Sequence, residues 1–462
     1  MFSYMKRQPG FYRQVVLLAA PIVLQNLITS MLGMADIFMV GMLGEAPMAA
    51  VTLANIPLFV VQLFIFGVQS GSSVLISQYW GKQDMEAINR VMGVAMWTAG
   101  TVSALFAGVL LLQPVEFLGL FGNQGDVVEL AAQYGSVAGL SYVCSAFTMM
   151  YVAAYRSMEQ PRLGMYILVT SMLLNTFLNW VFIFGKLGAP AMGVRGAAVA
   201  TLIARMLELV IVVVHSGKSK VIRVRFRLLL RPGRDMAARF LCYGAPVVCN
   251  ETMWGLGTAV FPTIMGHMDG STEILAAYTI AGNMDKIVMV VSFGLAATAA
   301  IIIGREVGAG RPEEVGEVGM ALYTLAVLCG IVIGLLLLLF GRLVAPVWVY
   351  PLFQMSARAG TIATMMMTVQ AMVRPLRDFN SVTIVGILRG GGDVKMATLI
   401  DIIPLWLVAI PAAALCGVIL HADILWVYLS MTLEHLVKCI LGFRRLRSGS
   451  WIRDLTGTMA GK

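Results

Sequence analysis

Twelve apolar stretches, most of them 20 residues or longer, recur along the chain between short connections that carry Gly, Pro or charged residues. A bilayer has a hydrocarbon core about 30 Å thick, which a helix of about 20 apolar residues can cross. Because the stretches are continuous rather than alternating, a membrane-spanning β-barrel is excluded. We predict an all-α polytopic membrane protein with helices at 15–40, 48–77, 88–113, 128–155, 163–185, 193–215, 238–266, 275–304, 315–340, 357–388, 396–417 and 422–443.

The composition agrees with this class, because 59% of the residues are hydrophobic and only 12% are charged. A soluble domain has about 25% charged residues, so this chain lacks the polar residues to cover a water-facing surface. The first apolar stretch is too long for a cleavable signal peptide and lacks a small-residue cleavage site. We therefore expect it to be the first spanning helix.

Lysine and arginine are unevenly distributed among the connections, and this asymmetry predicts the orientation of the chain. The basic residues assigned to one side are Lys6, Arg7, Arg13, Lys82, Arg90, Arg156, Arg162, Lys218, Lys220, Arg223, Arg225, Arg227, Arg231, Arg234, Arg239, Arg305, Arg311, Arg389, Lys395 and those of the tail from Arg444 to Lys462. The opposite connections hold only Lys186, Arg195, Arg342 and Arg358. We predict a plasma (inner) membrane protein with both termini and the long middle loop in the cytoplasm.

The formal net charge of +9 is explained by this topology and does not indicate a nucleic-acid partner. The basic middle loop, "KSKVIRVRFRLLLRPGR", is expected to lie beside anionic lipid. The six cysteines form no CxxC pair, the four histidines form no HExxH-type cluster, and "SGSS" at 70–73 lacks a partner base. We expect neither an enzyme nor an organic cofactor, and we expect the protein to be a monomer.

An internal repeat divides the chain into two halves. "AAVTLAN" at 49–55 matches "AAYTIAG" at 276–282 with an offset of 227, and Ala20-Pro21 matches Ala245-Pro246 with an offset of 225. The repeat predicts a six-helix lobe at 1–216, a cytoplasmic basic loop at 217–236 and a second six-helix lobe with a tail at 237–462. Six is an even number, so both halves enter the membrane in the same direction. A pseudo-two-fold axis along the membrane normal should relate them.

Transporters built on this plan bind their substrate between the two lobes. A duplicated channel is the alternative, but the chain contains no recognisable selectivity-filter motif.

Two segments of the sequence resemble one transporter family. "NTFLNWVFIFGKLGAPAMGVRGAAVATLIAR" at 175–205 is similar to the signature of helices five and six in the multidrug and toxic compound extrusion (MATE) family. "GILRGGGDVK" at 386–395 resembles the LRGxGD turn that follows helix ten in that family. The proline usual shortly after this turn is replaced by Ala397, and by Gly164 in the first half. The likeness covers nearly the whole chain.

The resemblance implies a twelve-helix, two-lobe antiporter that expels cationic organic compounds in exchange for Na⁺ or H⁺ by alternating access. Cationic amphiphilic small molecules and the bilayer are then the expected partners. The alternative within the same superfamily plan is a flippase for a lipid-linked saccharide or a similar amphiphile. A flippase should line its cavity with cations that meet a pyrophosphate, whereas the ionisable residues expected in this cavity are mostly acidic.

Asp36, in "GMADIFMVG" at 33–41, is the only ionisable residue between Val15 and Val40. A carboxylate at such a depth costs about 2.5–3.5 kcal/mol on translocon scales, so it indicates function. On a helix, Gln25, Thr29 and Asp36 fall within about 40° of one another and form one polar face.

Asn175 and Asn179 form an i, i+4 pair on helix five, with Ser171 one turn earlier. Together with Asp36 they would suit a proton or a partly dehydrated Na⁺. In the structural alternative, the asparagines only bond neighbouring helices.

The second half has its own intramembrane acids. Glu251 and Asp378 match positions where the sodium-coupled branch of the family carries cation-binding acids, and Asp285 is a third candidate. The Na⁺ candidates are thus Asp36, Glu251 and Asp378. Against this role, Arg374 lies four residues before Asp378 and would neutralise it.

Two further charged pairs have helical spacing, Glu434 with Lys438 and Arg205 with Glu208, and we interpret both as helix-terminal pairs. Asp401 is expected near the cytoplasmic interface. Gln25, Thr29, Trp254 and Tyr278 are the candidates for the substrate cavity, the two aromatic residues through cation–π contacts. Interface anchoring is the alternative for the aromatics. The 32 methionines suit an adaptable cavity but also serve as ordinary apolar filler.

Overall fold

The fold is taken from a computed structural model that describes residues 9–122, 125–219 and 221–457. The predictions for Lys6, Arg7, Lys220 and Lys462 lie outside these residues. The described chain is helical and contains no β-strand, only an isolated bridge between Gly392 and Ile452. The predicted all-α class is confirmed.

Twelve long helices occur within the described ranges. They are α1 (Pro9–Gly41), α2 (Glu45–Gly81), α3 (Met85–Leu112), α4 (Gly125–Ser157), α5 (Arg162–Phe184), α6 (Gly193–Lys218), α7 (Arg234–Gly266), α8 (Ser271–Gly308), α9 (Pro312–Leu339 continued by Phe340–Val349 and Tyr350–Leu352), α10 (Ala357–Asn380 continued by Ser381–Leu388), α11 (Val394–Pro404 continued to Ile419) and α12 (Ile424–Arg447). Short helices occupy Pro114–Gly119 and Phe226–Leu230. Every predicted span overlaps one of the long helices.

The largest difference from the predicted spans is the end of α9. The sequence places it at residue 340, where Gly341, Arg342 and Pro346 suggest a break, yet the helix continues to Leu352. The continuation Phe340–Val349 is π-helical and contains Pro346. A wider turn accommodates a proline that would interrupt an α-helix by removing a backbone hydrogen bond.

Ten of the helices in the described residues are long and apolar enough to cross a membrane. The other two, α7 and α10, are not among these candidate spans. Charged residues on α7 include Arg239 and Glu251, and α10 carries Arg374 and Arg377. Charged residues within a spanning helix are costly unless they face protein and find partners. The polar character of α10 therefore marks it as a helix with a packed, polar face.

The helix boundaries reproduce the internal repeat. Both α1 (Pro9–Gly41) and α7 (Arg234–Gly266) have 33 residues, and they begin 225 positions apart. Both α3 (Met85–Leu112) and the α-helical part of α9 (Pro312–Leu339) have 28 residues, 227 positions apart. The offsets are those found by comparing the sequence with itself, which confirms the duplication at the level of secondary structure.

The chain forms two compact units. We call Leu24–Val248 the N-unit, and Met1–Val23 together with Cys249–Lys462 the C-unit. Both boundaries fall inside a helix, two residues after Pro21 in α1 and two residues after Pro246 in α7. The lobe boundaries predicted from the repeat, in the basic loop, remain a prediction.

The core of the N-unit is apolar and is built from α1, α2, α4 and α6, with Val40, Leu58, Ala131 and Ala198 among its buried members. The C-unit has two apolar clusters. One surrounds Met366 and Met367 of α10, and the other includes Leu18 of α1 and Trp451 of the tail. These clusters hold the polar side chains described below away from lipid.

The tail after α12 is bound to the Gly-rich turn between α10 and α11. Trp451 is 2% exposed, and a Cβ on Gly391 would approach its ring to 2.4 Å. The Arg453 amide donates to the Gly391 carbonyl at 2.7 Å, and the buried Asp393 accepts from Arg445 Nε at 2.6 Å. The glycines of this turn are therefore required by the close approach of the tail.

We predict that Trp451→Ala lowers the stability of the protein by about 3–5 kcal/mol, the range for truncating a buried large aromatic. Thermal unfolding in detergent measures this effect. Trp426→Ala is the control, because Trp426 is 62% exposed. Equal unfolding midpoints for the two variants would show that the tail does not contribute to the core.

Candidate functional site

Polar side chains from three helices of the N-unit form one hydrogen-bonded chain. Asn179 Nδ2 of α5 donates to Asp36 Oδ1 of α1 at 2.6 Å and to Asn175 Oδ1 at 3.1 Å. Asn175 Nδ2 in turn donates to Thr201 Oγ1 of α6 at 3.2 Å. The structure thus joins three of the predicted site residues, Asp36, Asn175 and Asn179. It adds Thr201, which sequence reasoning did not single out.

This polar chain leaves acceptor oxygens without partners. Asn175 is 1% exposed and Asn179 is 0% exposed, yet Asn179 Oδ1 accepts no hydrogen bond within the described part of the chain. The buried hydroxyl of Ser171, two turns before Asn179, also has no partner there. A buried acceptor without a donor costs about 1–3 kcal/mol, so this arrangement is suited to receive a proton donor or a cation.

Asp36 has no ion-pair partner among the described residues, although Arg205 belongs to the same unit. Arg205 Nη1 instead pairs with Glu208 Oε1 at 2.7 Å. Because Glu208 is 1% exposed and both residues lie in the middle of α6, the interpretation of this pair as helix-terminal is wrong. Arg205 is thus paired directly with Glu208 of its own helix, whereas the Asp36 carboxylate accepts a hydrogen bond from the Asn179 amide.

Two of the residues predicted to line the substrate cavity form hydrogen bonds within the protein. Gln25 is 4% exposed, and its Nε2 donates to the Pro161 carbonyl, just before α5, at 2.6 Å. The Thr29 hydroxyl donates to the Gln25 carbonyl of its own helix at 2.9 Å. Their assignment to a cavity stays a prediction, and the bonds observed for them are structural.

Asp378 and Asp285 of the C-unit lie in one network with two arginines of α10. Arg374 Nη2 is 2.9 Å from Asp378 Oδ1, which also accepts from Ser292 Oγ at 2.6 Å. Arg377 holds Asp285 through both carboxylate oxygens, at 2.7 and 2.8 Å, and Arg374 Nη1 approaches Asp285 Oδ1 at 3.4 Å. Two carboxylates face two guanidinium groups, so this network is neutral as it stands.

Glu251 belongs to a different network, centred on the end of α10. Arg389 Nη1 is 2.6 Å from Glu251 Oε1, and Arg389 Nη2 is 3.9 Å from Asp401 Oδ2. Asn250 Nδ2 donates to the same Asp401 oxygen at 2.9 Å. Asp401, expected near the cytoplasmic interface, therefore bridges α7, α10 and α11.

Lys438 extends this second network to α12. Its Nζ lies 2.8 Å from Asp401 Oδ1 and 2.8 Å from Glu434 Oε2. Lys438 is 3% exposed, Glu434 is 6% exposed, and both lie within the span of α12. The interpretation of this pair as helix-terminal is also wrong, because it joins α12 to α11 inside the unit.

The structure therefore separates the predicted site residues into three groups. Asp36, Asn175 and Asn179 share one polar chain, Asp378 and Asp285 share a neutral ion-pair network, and Glu251 belongs to the network of Asp401. Trp254 and Tyr278 are half-buried against the apolar core of the C-unit. No group of three or more His, Cys, Asp or Glu is arranged to hold a metal ion in the described residues. A sodium ion would thus need amide and hydroxyl oxygens as well.

Comparisons with known proteins agree with the fold. A model of the MatE family matches residues 21–181 and 246–415. A protein of Thermotoga maritima named probable multidrug resistance protein NorM is 25% identical over 448 residues, which cover 96% of this chain and 94% of that protein.

Solved structures superpose along nearly the full chain. A MOP superfamily transporter from Pyrococcus furiosus aligns with a TM-score of 0.83 and 21% identity over 96% of both chains. A crystal structure of MATE in the bent conformation aligns with a TM-score of 0.85 and 19% identity over 95% of both chains. At such identities the likeness establishes the fold.

We predict that Asp378→Asn destabilises the C-unit by about 3–5 kcal/mol, because it leaves an uncompensated guanidinium at Arg374, which is 1% exposed. The double variant Asp378→Asn/Arg374→Gln restores neutrality and should recover much of this loss. Unfolding of purified protein in detergent measures both. Asp269→Asn, an exposed acid of the same unit, is the control. A double variant less stable than the single would disprove the compensation.

Proposed function

The chain belongs to the MatE family, and on that premise we propose that it is a multidrug efflux antiporter that exports cationic organic compounds in exchange for Na⁺ or H⁺. The name of the Thermotoga maritima relative supports the efflux part of this proposal. The proposal of ion coupling depends on the environment of Asp36. This carboxylate lies inside a spanning helix, accepts a hydrogen bond from an amide and has no ion-pair partner in the described chain.

Competition at Asp36 would couple the two fluxes. A carboxylate in a medium of low dielectric constant is unstable as an unpaired charge, so it holds a proton, Na⁺ or a cationic compound. Asn179 Oδ1 and the Ser171 hydroxyl supply additional neutral oxygens of the kind that a hard cation prefers. Binding of one cation then weakens binding of another, which is the requirement for exchange.

Alternating access requires that ion loading favours one conformation. A differential binding energy of a few kcal/mol is sufficient to reverse a two-state population. Pro21 and Pro246 occupy matched places in α1 and α7, two residues before the points where these helices pass from one unit to the other. Each proline removes a backbone hydrogen bond and permits bending, so we propose both as hinges.

The proposed substrate class depends on which acidic side chains have no ion-pair partner and can therefore bind a cationic substrate. The acids of the C-unit face arginine or lysine, so the preference for cationic cargo depends chiefly on Asp36, with Trp254 and Tyr278 as aromatic contacts. The flippase alternative is less favoured, because Arg374, Arg377 and Arg389 are each within 3 Å of a carboxylate, at 2.9, 2.7 and 2.6 Å. A pyrophosphate would have to displace those partners.

The membrane orientation is part of the same proposal. The distribution of basic residues among the connections supports a cytoplasmic position for both termini and for the 217–236 loop at the plasma membrane. This orientation decides on which side of the membrane the Asp36 end of α1 lies. Asp36 lies five residues before the end of α1 at Gly41, so the site would be near the outer surface.

We predict that Asp36→Asn abolishes coupled efflux while the protein remains folded. An asparagine keeps the size and hydrogen-bonding capacity of the side chain, but it neither accepts a proton near neutral pH nor offers a full negative charge. Ethidium efflux from proteoliposomes and thermal unfolding should be measured on the same preparation. Glu129→Gln, which removes an exposed carboxylate of the N-unit, should leave both unchanged. Efflux near the wild-type rate from folded Asp36→Asn would refute the coupling role.

We further predict that an imposed ion gradient drives ethidium efflux from wild-type proteoliposomes. A Na⁺ gradient and a pH gradient should be applied separately, with an ionophore that collapses each as the control. Acceleration by either gradient supports antiport and identifies the ion. Efflux that responds to neither gradient, or transport of a lipid-linked saccharide in place of ethidium, would contradict the proposed function.

A further inference from the structure

The connection between the two halves of the sequence, residues 217–236, is unusually basic. It contains seven Lys or Arg residues and a single acidic residue, Asp235. A connection of this composition is expected to be a solvated, loosely held loop. In the structure, by contrast, Ser219 and residues 221–233 are attached to the helices of the N-unit at several points. We call residues 218–234, without the undescribed residue 220, the basic platform.

Asn89, in the second turn of α3, holds the extended part of the basic platform. Its Nδ2 donates to the Arg223 carbonyl at 3.3 Å, and its Oδ1 accepts from the Arg225 amide at 3.0 Å. One side-chain amide thus satisfies two backbone groups of the loop, as a neighbouring β-strand would. Asn89 is 1% exposed, so this clamp is protected from water.

Other contacts fix the platform on both sides of this clamp. A Cβ on Gly93, one turn after Asn89, would lie 2.6 Å from the Leu229 carbonyl oxygen, so the short helix Phe226–Leu230 rests directly on α3. Ile222 is 1% exposed. At the start of the platform, the Tyr155 hydroxyl of α4 donates to the Ser219 hydroxyl. The positions of the basic side chains along the platform are therefore set by the fold.

The backbone contacts that hold the platform do not neutralise its basic side chains. Lys218, Arg223, Arg227, Arg231 and Arg234 are exposed and form no ion pair with the described residues. Arg225 makes a loose pair with Glu86 at 3.8 Å, and both side chains are exposed. At least five cations of the platform thus remain available for an external anion.

The platform also exposes two large apolar side chains. Phe226 is 65% exposed and Leu230 is 63% exposed, and they stand four residues apart on the short helix. Such a pair lies on one face of a helix. Apolar side chains flanked by arginines are typical of elements that lie in the headgroup region of a bilayer, where the apolar groups reach the acyl chains. A nucleic acid or a free phosphate would leave both side chains exposed to water.

We propose that the basic platform is a binding site for anionic phospholipid, in which the free arginines contact the headgroup phosphates and Phe226 and Leu230 enter the acyl region. Because Asn89 and Gly93 hold the backbone, the cations are arranged before the lipid arrives, and little ordering is required on binding. The site would tie the connection between the two halves to the leaflet against which it lies. The proposal does not depend on the transported substrate.

The test measures equilibrium binding of fluorescent phosphatidylglycerol to the purified full-length protein in a non-ionic detergent, with phosphatidylcholine as the neutral comparison. The test variant is Arg227→Gln/Arg231→Gln/Arg234→Gln. The matched control is Lys395→Gln/Arg444→Gln/Arg447→Gln, which removes three exposed cations of the C-unit. We expect the test variant to lose affinity for phosphatidylglycerol on the order of 100-fold at low salt, while the control stays within about 3-fold of wild type. Binding of phosphatidylcholine should be equal in all three proteins.

A second variant separates an arranged site from the effect of charge alone. Asn89→Ala keeps every cation but releases the platform from α3, so it should also weaken binding of phosphatidylglycerol by about 10-fold. Size-exclusion profiles confirm that each variant is folded. Equal losses in the test and control triple variants would overturn the proposal, because binding would then follow net charge. Competition by inorganic phosphate or an RNA oligonucleotide as effective as that by unlabelled phosphatidylglycerol would also overturn it, since the acyl chains would then contribute nothing.

Discussion

The lack of water in a bilayer is the constraint on which the rest of this structure depends. A polar side chain in a spanning helix must find its partner in the protein, because lipid offers none. The same condition explains why Glu251 of α7 and Arg374 and Arg377 of α10 each have an oppositely charged partner. Arg374 and Arg389, both 1% exposed, are tolerated because carboxylates reach them: Asp378 of the same helix lies beside Arg374, and Glu251 of α7 lies beside Arg389.

The two halves meet this condition in different ways, although they descend from one repeat. The C-unit balances acids against bases, so Asp378 and Glu251 are each held by a guanidinium group. The N-unit bonds Asp36 to the Asn179 amide and gives it no ion pair within the described residues. Duplication thus preserved the lengths of the helices but not their chemistry. An ion-pair network favours a rigid body, whereas a carboxylate with neutral partners is able to exchange one cation for another.

The sequence predicted the helices well because their signal is local. Spans of about 20 apolar residues, the matched prolines and the repeat offsets are all visible without tertiary information, and the boundaries of α1 and α7 agree with them. The errors arose where the local signal was ambiguous. The predicted span 315–340 ended where the π-helical continuation Phe340–Val349 begins. The spacing of Glu434 with Lys438 suggested a helix terminus because nothing in the sequence reveals that Asp401 lies 2.8 Å from Lys438.

For the candidate site, the sequence by itself identified the candidates: Asp36, Asn175 and Asn179 stand out because a polar group in an apolar span is costly. Only the tertiary structure decided which of the candidates lie together. It added Thr201 as a hydrogen-bond partner of Asn175, paired Asp378 and Glu251 with separate arginines, and attached the basic loop to Asn89. The physical reason is that charge and hydrogen-bonding capacity belong to a residue, whereas the contacts that a side chain makes in the fold include partners 151 positions away in the chain.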